Sequence, residues 1–201
     1  MLIDRPAQPH ATFVLAHGAG SAMDAPLMNQ VAEGLCAGGV EVVRFEFPYM
    51  HRLRHEGRRS PPDRMPVLEA SYRAILAQLT DRPRLFIGGR SMGGRVATHI
   101  ADSAGVRGVI ALGYPFHAPR KPGSLRVEHL LTMKTPCLIV QGSRDPFGTP
   151  EEVDSYALPD GILLCWLDDG DHSFVPRKSS GRTLAQHVEQ SCAAMQRFMR
   201  S

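Results

Sequence analysis

The chain has 201 residues, 43% of them hydrophobic and 21% charged, with a formal net charge of +3. Those proportions exclude a disordered chain, and so small a net charge gives no case for a nucleic-acid partner. A chain of this length buries about 70% of the surface that its unfolded form exposes, so residues 1–201 read as one domain with a sizeable core.

Six short runs rich in β-branched and large apolar residues are predicted as strands: 12–16, 41–47, 84–88, 108–112, 137–141 and 162–167. Most are apolar almost throughout rather than alternating, which is the pattern of parallel strands covered on both faces. Helix-like segments lie between them at 27–37, 66–79, 92–104 and 124–132, and a last one covers 183–199. In that last segment Leu184, Val188, Cys192, Met195 and Met199 recur at steps of three or four residues, marking one buried helical face. The alternation predicts an α/β, doubly wound, mostly parallel six-stranded sheet flanked by helices. The connection 48–66 has no evident element and is punctuated by Pro48, Pro61, Pro62 and Pro66. Loops of that length in compact domains tend to serve function.

No apolar run approaches the ~18 residues that span a bilayer, so no membrane span is predicted. The start, Met1-Leu2-Ile3-Asp4-Arg5-Pro6, lacks the basic, apolar and small-residue regions of a signal peptide. Cys36, Cys137, Cys165 and Cys192 are widely spaced and form no Cys-x-x-Cys pair. Buried thiols in a reducing compartment are expected, hence a cytoplasmic protein.

Between the third predicted strand and the helix after it stands Gly89-Arg90-Ser91-Met92-Gly93. A serine on a sharp strand-to-helix turn presents its hydroxyl as a nucleophile, and flanking glycines leave room for that turn. By itself the pattern arises by chance in roughly one chain in fifteen of this length, and a serine there could simply cap the helix. A nucleophilic serine also needs a base and an acid to orient it, in the chain order serine, acid, histidine. Asp145 follows the fifth predicted strand and His172 the sixth, at the carboxyl ends where open parallel sheets bind ligands. Asp168, Asp169 and Asp171 crowd the loop of His172 and are alternative orienting acids. After the first strand, His17-Gly18-Ala19-Gly20 is the expected oxyanion loop. The N–H groups of Ala19 and Met92 are the predicted donors, and His17 either braces that loop or touches substrate.

Taken together, His17-Gly18-Ala19-Gly20, the run Gly-Gly-Arg-Ser-Met-Gly-Gly-Arg at 88–95, Gly-Ser-Arg-Asp-Pro-Phe-Gly at 142–148 and Gly-Asp-His-Ser-Phe at 170–174 resemble the α/β-hydrolase superfamily. The chain is most similar to small, lidless, dienelactone-hydrolase-like members and to the hydrolase-like domain of a regulatory subunit of the nonspecific lethal complex. The resemblance implies a sheet of spatial order 2-1-3-4-5-6 without the family's two extra N-terminal strands, because residues 1–11 are too few for both. It also implies a serine esterase or thioesterase acting on a small acyl substrate, with neither metal nor organic cofactor. Dienelactone hydrolases proper carry cysteine where this chain has Ser91, so dienelactone ring opening is not implied. The segment 113–136, where many relatives insert a lid, is expected to hold one short helix. A non-catalytic scaffold and a serine peptidase are the alternative readings.

The insert at 48–66 carries Arg52, Arg54, Arg58, Arg59 and Arg64 against Glu56 and Asp63, and Arg177 and Lys178 follow His172 on the same rim. Either these form a solvated charge run, or they attract an anionic substrate. On the second reading Arg52, Arg54 and Arg177 bind substrate, and His117, after the fourth strand, lines the pocket.

Overall fold

The structure is a computed structural model that describes residues 1–79, 82, 84–118 and 121–201. Strand β1 (Leu2–Asp4) is followed by β2 (Ala11–Ala16), α1 (Pro26–Ala37), β3 (Val40–Phe45), α2 (Pro48–Glu56) and α3 (Met65–Leu76). Then come β4 (Leu85–Arg90), α4 (Met92–Ala104), β5 (Gly108–Leu112) and a hairpin of β6 (His117–Ala118) and β7 (Lys121–Leu125). The chain ends with β8 (Cys137–Gly142), α5 (Pro150–Asp154), β9 (Ile162–Leu167) and α6 (Leu184–Arg200).

Seven strands form the main sheet in the order β1-β3-β2-β4-β5-β8-β9, parallel except for β1. The six predicted strands are present in the implied order. Their number is corrected by β1, which pairs antiparallel with β3 through Leu2, Ile3 and Asp4. Three partly exposed residues carry no burial pattern, so a cross-strand ion pair substitutes for one: Arg44 Nη2 lies 2.8 Å from Asp4 Oδ2.

Side chains alternate across each strand, and both faces are covered. From β2, Phe13 and Leu15 pack with Met28 and Leu35 of α1 and Val188, Cys192 and Met195 of α6. Val14 and Ala16 pack on the other face with Leu68 and Tyr72 of α3 and Val96 and Ile100 of α4. Each such large side chain contributes about 1.5–3 kcal/mol by leaving water, which is why the strands read as continuous apolar runs. The hydroxyl of buried Tyr72 also accepts from the Gly88 N–H at 3.0 Å and lies 2.7 Å from the Val14 carbonyl, fastening α3 across β2 and β4.

Two local expectations need correction, and one helix was not expected. The insert 48–66 holds α2, with Pro48 in its first turn and Gly57 closing it at φ 66°. Proline looks like a breaker in a sequence, yet it suits a first helical turn because the missing N–H has no partner there anyway. The helix expected at 124–132 does not form: the Arg126 N–H donates to the Phe116 carbonyl at 2.8 Å, and only Leu130–Thr132 makes a 3₁₀ turn. A capping box at Thr149 and Glu152 starts the short α5, which is not among the five predicted helices. Among the described residues no helix is long and apolar enough to cross a membrane.

Candidate active site

The turn from β4 into α4 places Ser91 at φ 47°, ψ −111°, a conformation that costs a non-glycine residue about 1–3 kcal/mol. Two backbone bonds hold it there. The Ser91 N–H donates to the Leu112 carbonyl at 2.8 Å, and the Arg95 N–H donates to the Ser91 carbonyl at 3.0 Å. The glycines on either side are required by close approach. A Cβ on Gly89 would stand 2.5 Å from the Ala16 carbonyl oxygen, and one on Gly93 would stand 2.6 Å from the same atom.

Asp145, Ser91 and His172 arrive from three strand ends and meet. His172 Nδ1–H donates to Asp145 Oδ2 at 2.7 Å, since a carboxylate can only accept. That leaves Nε2 as an acceptor, 3.0 Å from Ser91 Oγ. Asp145 is fully buried, and its other oxygen accepts from the Phe147 N–H at 2.9 Å. Of the alternative acids, Asp168 is exposed to solvent and the other two are committed elsewhere. Asp169 pairs with Arg177 and Arg144, while Asp171 accepts from the Ser173 and Val175 N–H groups.

Two further residues, not among those predicted for the site, complete this framework. Gln141, buried at the end of β8, donates to Asp145 Oδ2 at 3.0 Å and accepts from the Tyr114 N–H at 2.7 Å, so it ties the acid to the end of β5. Its signal was a polar side chain closing an otherwise apolar strand. Arg90, beside Ser91, donates to Ser173 Oγ at 2.9 Å and steadies the loop carrying His172.

On the far side of the serine, His17 is buried and braces the loop instead of facing a ligand. Its Nε2 accepts from the Phe47 N–H at 3.0 Å, which puts the proton on Nδ1, and Nδ1 donates to the Gly18 carbonyl at 2.8 Å. Burial pulls the His17 pKa below its ordinary value, favouring that neutral form. The Ser21 N–H also donates to the Gly18 carbonyl, at 3.2 Å. Across a planar trans peptide the carbonyl and the next N–H point opposite ways, so holding Gly18 O inward turns the Ala19 N–H outward. Met92 begins α4, where the first-turn N–H groups lack intrahelical partners.

A family model described as an alpha/beta hydrolase domain matches residues 9–200. The chain belongs to that family. Its fold is also similar to an alpha-beta serine hydrolase homologue from Coxiella burnetii, with TM-score 0.76 and 20% identity over 96% of this chain and 90% of that one. A serine hydrolase without lid from Xanthomonas campestris gives TM-score 0.70 and 20% identity, covering 96% and 87% of the two chains. A dienelactone hydrolase from Anabaena variabilis gives 0.69 and 18%, covering 94% and 87%.

In this α/β hydrolase domain a cleft of about 340 Å³ opens beside Ser91, with Ala19, Met92 and Phe147 near the serine and Met65, Leu68 and Pro115 along its walls. No lid lies over it among the described residues. The four residues expected to bind substrate do not line it. Arg52 is held by Asp63 at 2.8 Å, Arg54 by Glu46 and Asp24 at 2.7 Å each, and Arg177 by Asp169. His117 is buried, with Nδ1 donating to the carbonyl of Ala118 at 3.0 Å. The arginines that do line the cleft are Arg95 and Arg126. Arg95 closes the run at 88–95 that carries the family resemblance but is not among the residues expected to bind substrate, and Arg126 lies in the segment 124–132, where the expected helix does not form.

Proposed function

We propose that this chain is a serine hydrolase cleaving carboxylic esters or thioesters of small acyl groups through an acyl-enzyme on Ser91. The observation that carries the reading is the unbroken hydrogen-bonded line from Asp145 through His172 to Ser91, beside the backbone N–H groups of Ala19 and Met92. Ser91 Oγ attacks the carbonyl carbon while His172 Nε2 takes the hydroxyl proton. Asp145 keeps the imidazole in the tautomer that can accept it and stabilises the imidazolium that results. The carbonyl electrons move onto oxygen, where the two N–H groups receive the charge; losing one such donor typically lowers turnover about 10²- to 10³-fold. Collapse expels the alcohol or thiol, protonated by His172, and water then releases the acid by the same relay. These steps use side chains, the two backbone N–H groups and water. The four cysteines are free thiols, which suits action in a reducing cytoplasm.

A fluorophosphonate probe and p-nitrophenyl esters of graded chain length test this directly, with Ser91→Ala as control. Labelling at Ser91 and ester turnover that disappears in the control are expected. Absence of label, or equal turnover by the two proteins, would overturn the reading and favour a binding scaffold; preferential amide turnover would point to a peptidase.

A further inference from the structure

We propose that the cleft recognises a carboxylate on the acyl part of its substrate, held by the guanidinium groups of Arg95 and Arg126. The inference rests on the hydrolase reading above and narrows it to half-esters or half-thioesters of short dicarboxylic acids.

Position is the first ground. Arg95 stands one helical turn beyond Ser91, the N-cap of α4, and lines the same cleft. A group reaching that far from the scissile carbonyl is only a few carbons long. The second ground is the lack of partners. Arg95 Nε is buried and donates to nothing among the described residues. Among those residues neither guanidinium forms an ion pair. Asp63, the acidic residue on the cleft wall, is already used: Oδ1 accepts from Arg52 and Oδ2 from the Tyr49 N–H.

The third ground is that the two arginines are built into one frame. Thr98 Oγ1 donates to the Arg95 carbonyl at 2.7 Å, and Tyr114 OH donates to the Arg126 carbonyl at 2.9 Å. With both hydroxyl protons committed, His129 Nε2–H lies between the two oxygens, 2.9 Å from Thr98 and 3.3 Å from Tyr114. This hub joins α4 to the chain after β7 and fixes the backbones that carry the two guanidiniums. Its imidazole is pulled down to about 4 by burial, then by His99 stacked on it and by Arg95, so it is neutral at pH 7 and adds no counter-charge. Glu69, on α3, faces His99 at 3.7 Å. Burial, followed by the charge of Arg95, lowers the pKa of Arg126.

Two partly desolvated cations without an anion are an unfavourable arrangement that a ligand carboxylate relieves, and guanidinium matches carboxylate geometry in paired hydrogen bonds. The leaving group must lie against His172 to receive its proton. His172 contacts Ser91, Asp145 and Phe147, whereas the hub of Arg95 and Arg126 is built from α4, Tyr114 and the 126–129 segment. The acyl side therefore faces the arginines.

The test compares mono-p-nitrophenyl glutarate with p-nitrophenyl valerate, and separately measures glutarate binding to Ser91→Ala. The native protein should favour the glutarate ester in kcat/KM, less so as salt rises. Arg95→Met or Arg126→Met should each lower the ratio of the two kcat/KM values about 10- to 100-fold, the range for a lost charge-assisted hydrogen bond. Arg95→Lys should restore part of it. Glutarate should bind Ser91→Ala and bind more weakly once either arginine is also replaced. No preference in the native protein, or equal loss on both esters, would overturn the proposal. If neither ester turned over yet glutarate bound in an arginine-dependent way, the anion site would stand and the hydrolase reading would fall.

Discussion

Arg52, Arg54 and Arg177 on the rim of the cleft and the two arginines inside it stand in opposite electrostatic circumstances. Arg54 reaches Glu46 and Asp24, and its pKa is raised by both, with Glu46 the larger cause. Arg177 and Asp169 form a similar pair, and Arg52 is matched to Asp63. Inside, Arg126 is lowered by burial and by its like-charged neighbour Arg95. A count of basic residues treats these groups alike and even favours the rim, where more of them cluster. What separates them is whether a carboxylate of the same chain has already used the charge.

Exchanging or disabling parts of the two regions tests that contrast, and the largest effect concerns its reference point. Ser91→Ala should lower ester turnover at least ~10⁴-fold for charged and neutral acyl groups alike. Turnover surviving in that variant would place the chemistry outside the cleft and leave the inner arginines without a role. Asp145→Asn should cost about 10⁴-fold in kcat by allowing the wrong imidazole tautomer, again without changing the ratio of anionic to neutral substrates. A changed ratio would mean that Asp145 acts on acyl-group recognition.

On the rim, Arg52→Ala, Arg54→Ala and Arg177→Ala should each leave the glutarate-to-valerate preference within about twofold but lower stability, more for Arg54 and Arg177, whose partners Glu46 and Asp169 have side chains only 3% and 8% exposed and would lose their countercharge. Urea unfolding and the paired ester assay read both quantities. A rim substitution that moved the preference as far as Arg95→Met would erase the distinction between the regions.

The smallest effect concerns pH. His129 titrates near 6.5 when unfolded and is pulled down to about 4 in the fold, so the unfolded chain binds its proton first as pH falls. The stability tied to neutral His129 is whole above pH 6.5 and is lost as pH drops through about 4. Melting curves between pH 4 and 7 should fall less steeply for His129→Gln than for the native chain. Parallel curves would show that the hub under Arg95 and Arg126 is not held by a neutral imidazole.

Much of this was legible in the residues. Apolar runs located six strands, the periodic face of 183–199 located α6, and residue type with chain order singled out Ser91, Asp145 and His172. Those signals are local, or depend on the regular geometry of strand ends in a parallel sheet. The edge strand β1 was missed because three half-exposed residues form it through pairing with β3 and the Asp4–Arg44 contact. Helix α2 was hidden by prolines, and 124–132 misled because Arg126 finds its backbone partner in Phe116, ten positions back. Gln141, Arg90 and the two inner arginines were ordinary polar letters until folding set their neighbours.

The sequence by itself determined the layered α/β architecture, the strand ends that carry the three candidate catalytic side chains, and the glycines on which the serine turn depends. Only the tertiary structure decided which charges remain available to a ligand. Ion pairing is a long-range matter of which side chains meet, as with Arg54, Asp24 and Glu46 across three segments, and no local pattern encodes it. The same packing that paired Arg52, Arg54 and Arg177 with carboxylates left Arg95 and Arg126 facing the cleft beside Ser91.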